Sequence, residues 1–298
     1  MIRTRVLVGS GLGAAAVALL VGDRYLAPWF PVLFAGLGLV GVFATRELIR
    51  LFPPTLRPPV SLVVAGILMT LAANWYAVIR RDLAPFLPTV SSPWEPVLFA
   101  YIVVVIAAFL IEMGRYREPG TTVPRLGLSV LAVSYLALFG SFLAQVRWLD
   151  PDPARTSFLL ALTIFVPKFG DIGAFFAGTI LGRHRMTPIL SPKKTWEGFA
   201  GGMVAAALVA VGLSVVVEPT VEPIFRGGIL EAAGFGLAVG VAGVFGDLAE
   251  SLIKRDSQTK DAATSIPGFG GLLDVIDSIL FAAPVAYFWF RLRLPLPS

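Results

Sequence analysis

The chain has 298 residues, 56% of them hydrophobic and only 14% charged, with a formal net charge of +5. So small a charged fraction excludes an ordinary soluble domain, and the lack of cysteine excludes thiol chemistry and leaves the redox compartment unreadable. The modest positive charge points to membrane topology and anionic headgroups rather than to nucleic acid.

Nine apolar runs have the length needed to cross a bilayer as helices: about 6–22, 27–44, 59–79, 96–113, 124–146, 156–181, 198–217, 228–249 and 272–290. Lipid offers the backbone no hydrogen-bond partners, so the expectation is an all-α integral membrane protein. The start, MIRTRVLVGSGLGAAAVALLVG, has the basic-then-apolar order of a secretory signal peptide. Against that reading, nine spans and a cytosolic N-terminus put most of the 24 Lys/Arg on the inside, Arg3, Arg5, Arg46, Arg50, Arg57, Arg115, Arg117 and Arg125 among them. That excess favours an uncleaved first span, the N-terminus in the cytosol and the C-terminus outside, with Arg80 and Arg81 running against it. Proline-rich stretches such as LFPPTLRPP at 51–59 read as short connections.

All five lysines lie at 168 or beyond: Lys168, Lys193, Lys194, Lys254 and Lys260. The skew divides the chain into a transmembrane scaffold, 1–155, and a catalytic half with cytosolic loops, 156–298. Three polar segments stand out in that second half. In PKFGDIGAFFAG (167–178), Lys168 and Asp171 share a helix face within a span, followed by a small-residue stripe of Gly170, Ala174 and Gly178. Asp171 either faces a site or forms a buried ion pair beside a packing seam. In GRHRMTPILSPKKTWEGFAGG (182–202), Ser191 and Pro192 have the pattern of a helix N-cap and first helical position. Lys193 and Lys194 would then sit at a helix start, where the dipole disfavours cations, so the pair asks for an anion such as phosphate. The alternative is a basic loop that obeys the inside-positive rule.

The third segment is GDLAESLIKRDSQTKD (246–261), leading into PGFGGLLDVIDS (267–278). Asp247, Glu250 and Lys254 fall on one helical face, and Asp274 and Asp277 share a face of the next helix. Between them, Pro267 and Gly268 turn the chain, and Gly270 and Gly271 let backbone come close to a ligand. Carboxylates from two helix ends meeting across a turn make an oxygen-rich site of the kind magnesium uses with bound phosphates. Salt bridges at a membrane boundary are the alternative. The only histidine, His184, lies in a basic loop and reads as a loop or headgroup contact. The chain shows no Ser/His/Asp set, zinc-ligand cluster or phosphate-binding loop of the G-x-x-x-x-G-K-[ST] type.

SPKKTWEGFAGG, GDLAESLIKRD and KDAATSIPGFGGLLDVIDS together resemble the phosphatidate cytidylyltransferases, or CDP-diacylglycerol synthases. The family pattern runs S-x-x-K-R-x-x-x-x-K-D, P-G-H-G-G, L-D-R-x-D. Ser251, Lys254, Arg255, Lys260, Asp261, Pro267, Gly268, Gly270, Gly271, Asp274 and Asp277 match it. The likeness covers about 168–278, and the first half matches only as a multi-helix scaffold. Phe269 stands where the family has histidine and Val275 where it has arginine, which leaves open a tolerated variant, a changed substrate or lowered activity.

The resemblance implies transfer of a cytidylyl group from CTP to phosphatidic acid. It implies magnesium, with a second cation as an option, and a homodimer in the inner membrane with the site facing the cytosol. Taken with the spacing, it implies that Asp247, Asp274 and Asp277 bind or orient metal. Lys254, Arg255 and Lys260 would meet phosphates, with Asp261 placing Lys260 or a second ion. Ser191, Lys193, Lys194 and Thr195 would form a second phosphate-contacting group beside Gly270 and Gly271, and Glu197 and Asp171 would orient it. The nucleophile would be a phosphate oxygen already ionised near neutral pH, so the obstacle is repulsion between anions. Two unit charges 4 Å apart repel by about 4 kcal/mol at an effective dielectric of 20. Two other functions remain as alternatives: a CTP-dependent lipid or prenol kinase, which would release CDP instead of pyrophosphate, and a transporter, which would spread polar groups through many spans.

Overall fold

The protein is described here by a computed structural model covering residues 2–258 and 270–293, with side chains from residue 9 onward. In chain order, the helices are α1 (Ile2–Asp23), α2 (Pro31–Leu51), α3 (Val60–Ala72), α4 (Tyr76–Asp82), α5 (Trp94–Arg115), α6 (Thr122–Val133), α7 (Phe139–Val146), α8 (Pro153–Leu181), α9 (Trp196–Val217), α10 (Gly228–Asp256) and α11 (Leu273–Arg293). A 3-10 turn joins α3 to α4 and a π-turn at Ser134–Leu138 joins α6 to α7, so each pair makes one rod. Among the described residues, eight rods are long and apolar enough to cross a membrane. They take the places of the second to ninth expected spans, and α1 takes the place of the first.

Two local expectations need correction. The second span was placed at about 27–44, but α2 runs Pro31–Leu51. Proline is tolerated in the first helical turn, and the helix stops only before Pro53 and Pro54. Its last turns therefore carry Arg46, Glu47 and Arg50, good helix formers that an apolar-run reading cuts off. The second correction concerns Ser191, which does not cap a helix. Ser191–Thr195 is strand β2, paired antiparallel with β1 (Arg185–Thr187), the only sheet among the described residues. Thr195 is the cap of α9, its hydroxyl accepting from Gly198 N at 3.1 Å. Both Ser191 and Thr195 are good N-cap residues, but only Thr195 is followed by an acid, Glu197, in the first turn, where the helix dipole favours it.

Two apolar cores lie side by side. One joins α8, α9, α10 and the C-terminal part of α11, with Leu159, Leu160, Leu162, Phe235 and Phe290 fully buried. The other joins α2, α3 and the α6–α7 rod, with Leu48, Ile67 and Tyr135, and takes in Leu273 and Leu280 of α11. Helix α11 is thus shared between them. Helices α8 and α9 meet through small residues: Gly170 lies against Gly202, Gly173 against Ala205 and Gly178 against Gly198. This seam contains the stripe read from the sequence. Without long side chains between them, the two backbones approach closely.

The helix ends sort into two sets. At one end, the C-termini of α2, α8 and α10 meet the N-termini of α9 and α11 and the β-hairpin; Glu47 reaches Leu273, and Lys194 reaches Asp247. At the other end, Asp23 at the close of α1 accepts from Val32 N and Leu33 N and pairs with buried Arg147 at 3.8 Å. Burial lowers the Arg147 pKa to about 10, against the opposing pull of Asp23, and still leaves the guanidinium charged.

Candidate active site

Helix α10 passes α11 with no side chain between them where Gly246 lies on Asp277. A Cβ at Gly246 would collide with the Asp277 carbonyl oxygen and come within 3.0 Å of Ser278 Cα. One turn earlier, Gly243 lies on Pro167 of α8 and Ser278 of α11. Three helices therefore converge directly beneath Lys168, Asp171, Asp247 and Asp277, and their short acidic side chains can reach one another.

Carboxylate oxygens of Asp247, Glu250 and Asp277 come together within 4.8 Å. Glu250 and Asp277 are buried, and Asp247 is partly exposed. Each of the three has a lysine from a different element. Lys194 Nζ of β2 lies 2.9 Å from Asp247 Oδ2. Lys254 Nζ of α10 lies 2.7 Å from Glu250 Oε2, and Lys168 Nζ of α8 lies 3.3 Å from Asp277 Oδ1. Lys168 also donates to Asp171 Oδ2 at 3.3 Å, and the Ser278 hydroxyl donates to that same oxygen at 2.9 Å.

Asp274 stands one layer away from this trio. It accepts from Lys254 Nζ at 2.6 Å and from Gly271 N at 2.6 Å, reaching back from the first turn of α11 to an amide just before the helix. Lys254 thus bridges Glu250 and Asp274. Gly270 enters the helix with φ of 101°, a conformation open to glycine. Two of the three expected metal carboxylates, Asp247 and Asp277, therefore meet, and their third companion is Glu250.

The hairpin folds over the end of α10. Arg255 Nε donates to Leu190 O at 3.3 Å, and Lys194 Nζ also lies 3.4 Å from Val244 O. Lys193 is exposed and makes no ion pair among the described residues. Ser191 begins the strand, and buried Thr195 is occupied as the α9 cap. Glu197 turns to the base of the hairpin, accepting from Arg183 N, from His184 N and from the His184 ring at 2.6 Å. Lys260 and Asp261 lie outside the described residues, as do Pro267, Gly268 and Phe269.

A Cytidylyltransferase family model matches residues 3–293. The chain belongs to that family. Among curated relatives, the phosphatidate cytidylyltransferase of Bacillus subtilis is 30% identical over 263 residues, 88% of this chain and 89% of the relative. That of Thermotoga maritima is 30% identical over 224 residues, 74% of this chain and 78% of the relative. That of Synechocystis is 39% identical over 150 residues, which is 50% of this chain and 48% of the relative.

The family motifs do not mark every polar residue gathered here. Glu250 shares a face with Asp247, and its spacing was the available signal. Glu47 gave a weaker one, an acid at the end of an apolar run. Its Oε2 accepts from Leu273 N at 2.9 Å, tying the end of α2 to the start of α11. Ser278 follows Asp277 directly and carries no signal of its own.

Proposed function

We propose that this cytidylyltransferase-family protein transfers the cytidylyl group of CTP to phosphatidic acid, releasing pyrophosphate and leaving CDP-diacylglycerol. The observation that carries the reading is the trio Asp247, Glu250 and Asp277, each with its own lysine, at one end of a membrane bundle. Three carboxylate oxygens within 4.8 Å suit a hard divalent cation, magnesium first. Glu250 Oε1 is buried with no hydrogen-bond partner among the described residues, which fits an acceptor meant for an ion. Asp247, Glu250 and Asp277 would hold that ion. When bound, it supplies charge neutralisation for the phosphates and polarises them.

The chain's own residues account for the rest. A phosphate oxygen of phosphatidic acid forms a bond to the α-phosphorus of CTP while the α–β bridging bond breaks, and pyrophosphate carries away the electron pair. The attacking oxygen is already ionised, so no strong base is needed; the site must instead tolerate a large negative charge. Each ammonium group has three donors and can meet a phosphate without abandoning its carboxylate. Lys193 and Arg255 are exposed at the hairpin and can engage an incoming triphosphate without breaking an ion pair seen here. Lys260 and Asp261 join this group on the motif alone.

The inside-positive distribution of Lys/Arg supports placing this end in the cytosol, at the inner membrane, where CTP arrives from water and phosphatidic acid from the bilayer. A homodimer belongs to the same proposal and rests on the resemblance; light scattering in detergent tests it. Full-length protein in liposomes, given labelled CTP, magnesium and phosphatidic acid, is expected to release one pyrophosphate per CDP-diacylglycerol formed. Release of CDP with a phosphorylated lipid would replace this reading with a kinase.

A further inference from the structure

Tyr135 is the one polar side chain of the α6–α7 rod that combines deep burial, no partner and the company of the carboxylates. It is 5% exposed, and its hydroxyl makes no hydrogen bond among the described residues. Such an orphan normally demands an explanation, because a buried hydroxyl left unpaired has lost its hydrogen bonds to water without a replacement. The residue sits in the π-turn Ser134–Leu138, an irregularity of a kind frequent at functional sites. Its ring packs edge-on against Phe281, with centroids 6.3 Å apart. Phe281 lies one helical turn beyond Asp277 on the same face of α11. Tyr135 also shares an apolar cluster with Leu273 and Leu280 of α11, the helix that carries Asp274 and Asp277, and its hydroxyl lies within electrostatic reach of Asp277, Glu250, Asp247 and Asp274.

Among the described residues, two buried oxygens without a hydrogen-bond partner therefore stand in the company of the same carboxylates: Glu250 Oε1 from α10 and Tyr135 Oη from the opposite half of the chain. A small hard cation on three carboxylates keeps several waters, whose hydrogens point outward and need acceptors. A phenol can accept from such a water and donate onward to a carboxylate or phosphate oxygen.

We propose that Tyr135 is a positioning residue that completes the cation site, its hydroxyl hydrogen-bonding a water in the shell of an ion held by Asp247, Glu250 and Asp277. This rests on the cation reading of the trio given above. Tyr135 thereby orients the shell without touching the reacting phosphorus. Outer-shell partners of this kind are worth about 10-fold or more in metal affinity.

The test uses purified, metal-stripped full-length protein in detergent, titrated with manganese chloride without nucleotide and read by electron paramagnetic resonance. Wild type, Tyr135→Phe and Asp277→Asn are compared, with a thermal midpoint for each metal-free protein. Tyr135→Phe is expected to weaken manganese binding about 10-fold while leaving its metal-free midpoint unchanged or higher, since it removes only an unsatisfied hydroxyl. A metal-free midpoint several degrees lower would show a structural hydrogen bond and overturn the proposal. Equal manganese affinity in wild type and Tyr135→Phe, with Asp277→Asn weakened, would overturn it while sparing the cation reading. Manganese binding that Asp277→Asn leaves untouched would overturn both.

Discussion

In the N-terminal half, helices pack through branched side chains: Val104 fills the space beside Gly66, and Ile67 and Leu71 fill that beside Gly41. In the C-terminal half, they pack backbone against backbone, through Gly170, Gly173, Gly178, Gly198 and Gly202 between α8 and α9 and through Gly246 between α10 and α11. Side-chain packing fills volume and tolerates exchanges of similar size. Backbone packing fixes the distance between helix axes, which short acidic side chains need if they are to meet. The half with the stiffer geometry is the half that carries the trio of carboxylates and their lysines.

The largest expected effect tests that assignment directly. Asp277→Asn keeps the shape and removes one charge from the trio. Lys168 retains Asp171 as a partner, so no cation is left stranded. Turnover of CTP with phosphatidic acid should fall by about 10²–10³, the scale seen when a charge-stabilising group is removed from an active site. Helical circular dichroism should remain that of the wild type. A near-wild-type rate would separate the trio from the chemistry and leave the two halves distinguished by packing alone.

A second contrast compares one glycine from each half. Gly246→Ala drives a methyl group into the Asp277 carbonyl, whereas a Cβ at Gly127 of α6 meets nothing within 4 Å. Overpacking of this kind costs about 1–3 kcal/mol. Gly246→Ala should lower the unfolding midpoint and cut turnover roughly 10-fold by moving α10 off α11. Gly127→Ala should leave both unchanged. Equal behaviour of the two would show that close approach at Gly246 does not set the carboxylate geometry.

The sequence made the spans legible because bilayer thickness imposes a length, and it made Asp247, Asp277 and Lys194 legible as one site because their motifs are local. It did not reveal which third carboxylate joins them. Glu250 lies three residues from Asp247 and Asp274 three residues from Asp277, and only the packing of α10 against α11 chooses between them. The hairpin at 185–195 was hidden because Ser191 and Pro192 carry a helix-start pattern, whereas the cap that α9 uses is Thr195, four residues on. Tyr135 carried no signal, because an aromatic in an apolar run looks like core whether or not its hydroxyl has a partner. The division at 155 into scaffold and catalytic half followed the lysines, and from the first half Glu47 reaches Leu273 at the start of α11.

Glu47 measures how much that reach matters. Its carboxylate accepts from Leu273 N across 226 residues of sequence, at 4% exposure, and so holds the N-terminus of the helix that carries Asp274 and Asp277. Glutamine keeps an oxygen for that amide but gives up the negative charge that a helix N-terminus favours, worth about 0.3–1 kcal/mol and up to about 2 in partly buried geometry. Glu47→Gln should therefore lower stability by on the order of 1 kcal/mol in denaturant unfolding. Turnover should fall only a few-fold, because α11 tilts slightly without losing a ligand. The sign of the contrast lies in the ratio to Asp277→Asn. If Glu47→Gln were as damaging to turnover as Asp277→Asn, the boundary between scaffold and chemistry would have to be redrawn through α2. If it changed neither stability nor rate, α11 would be held by the Gly246 contact and the apolar core around Leu273 alone.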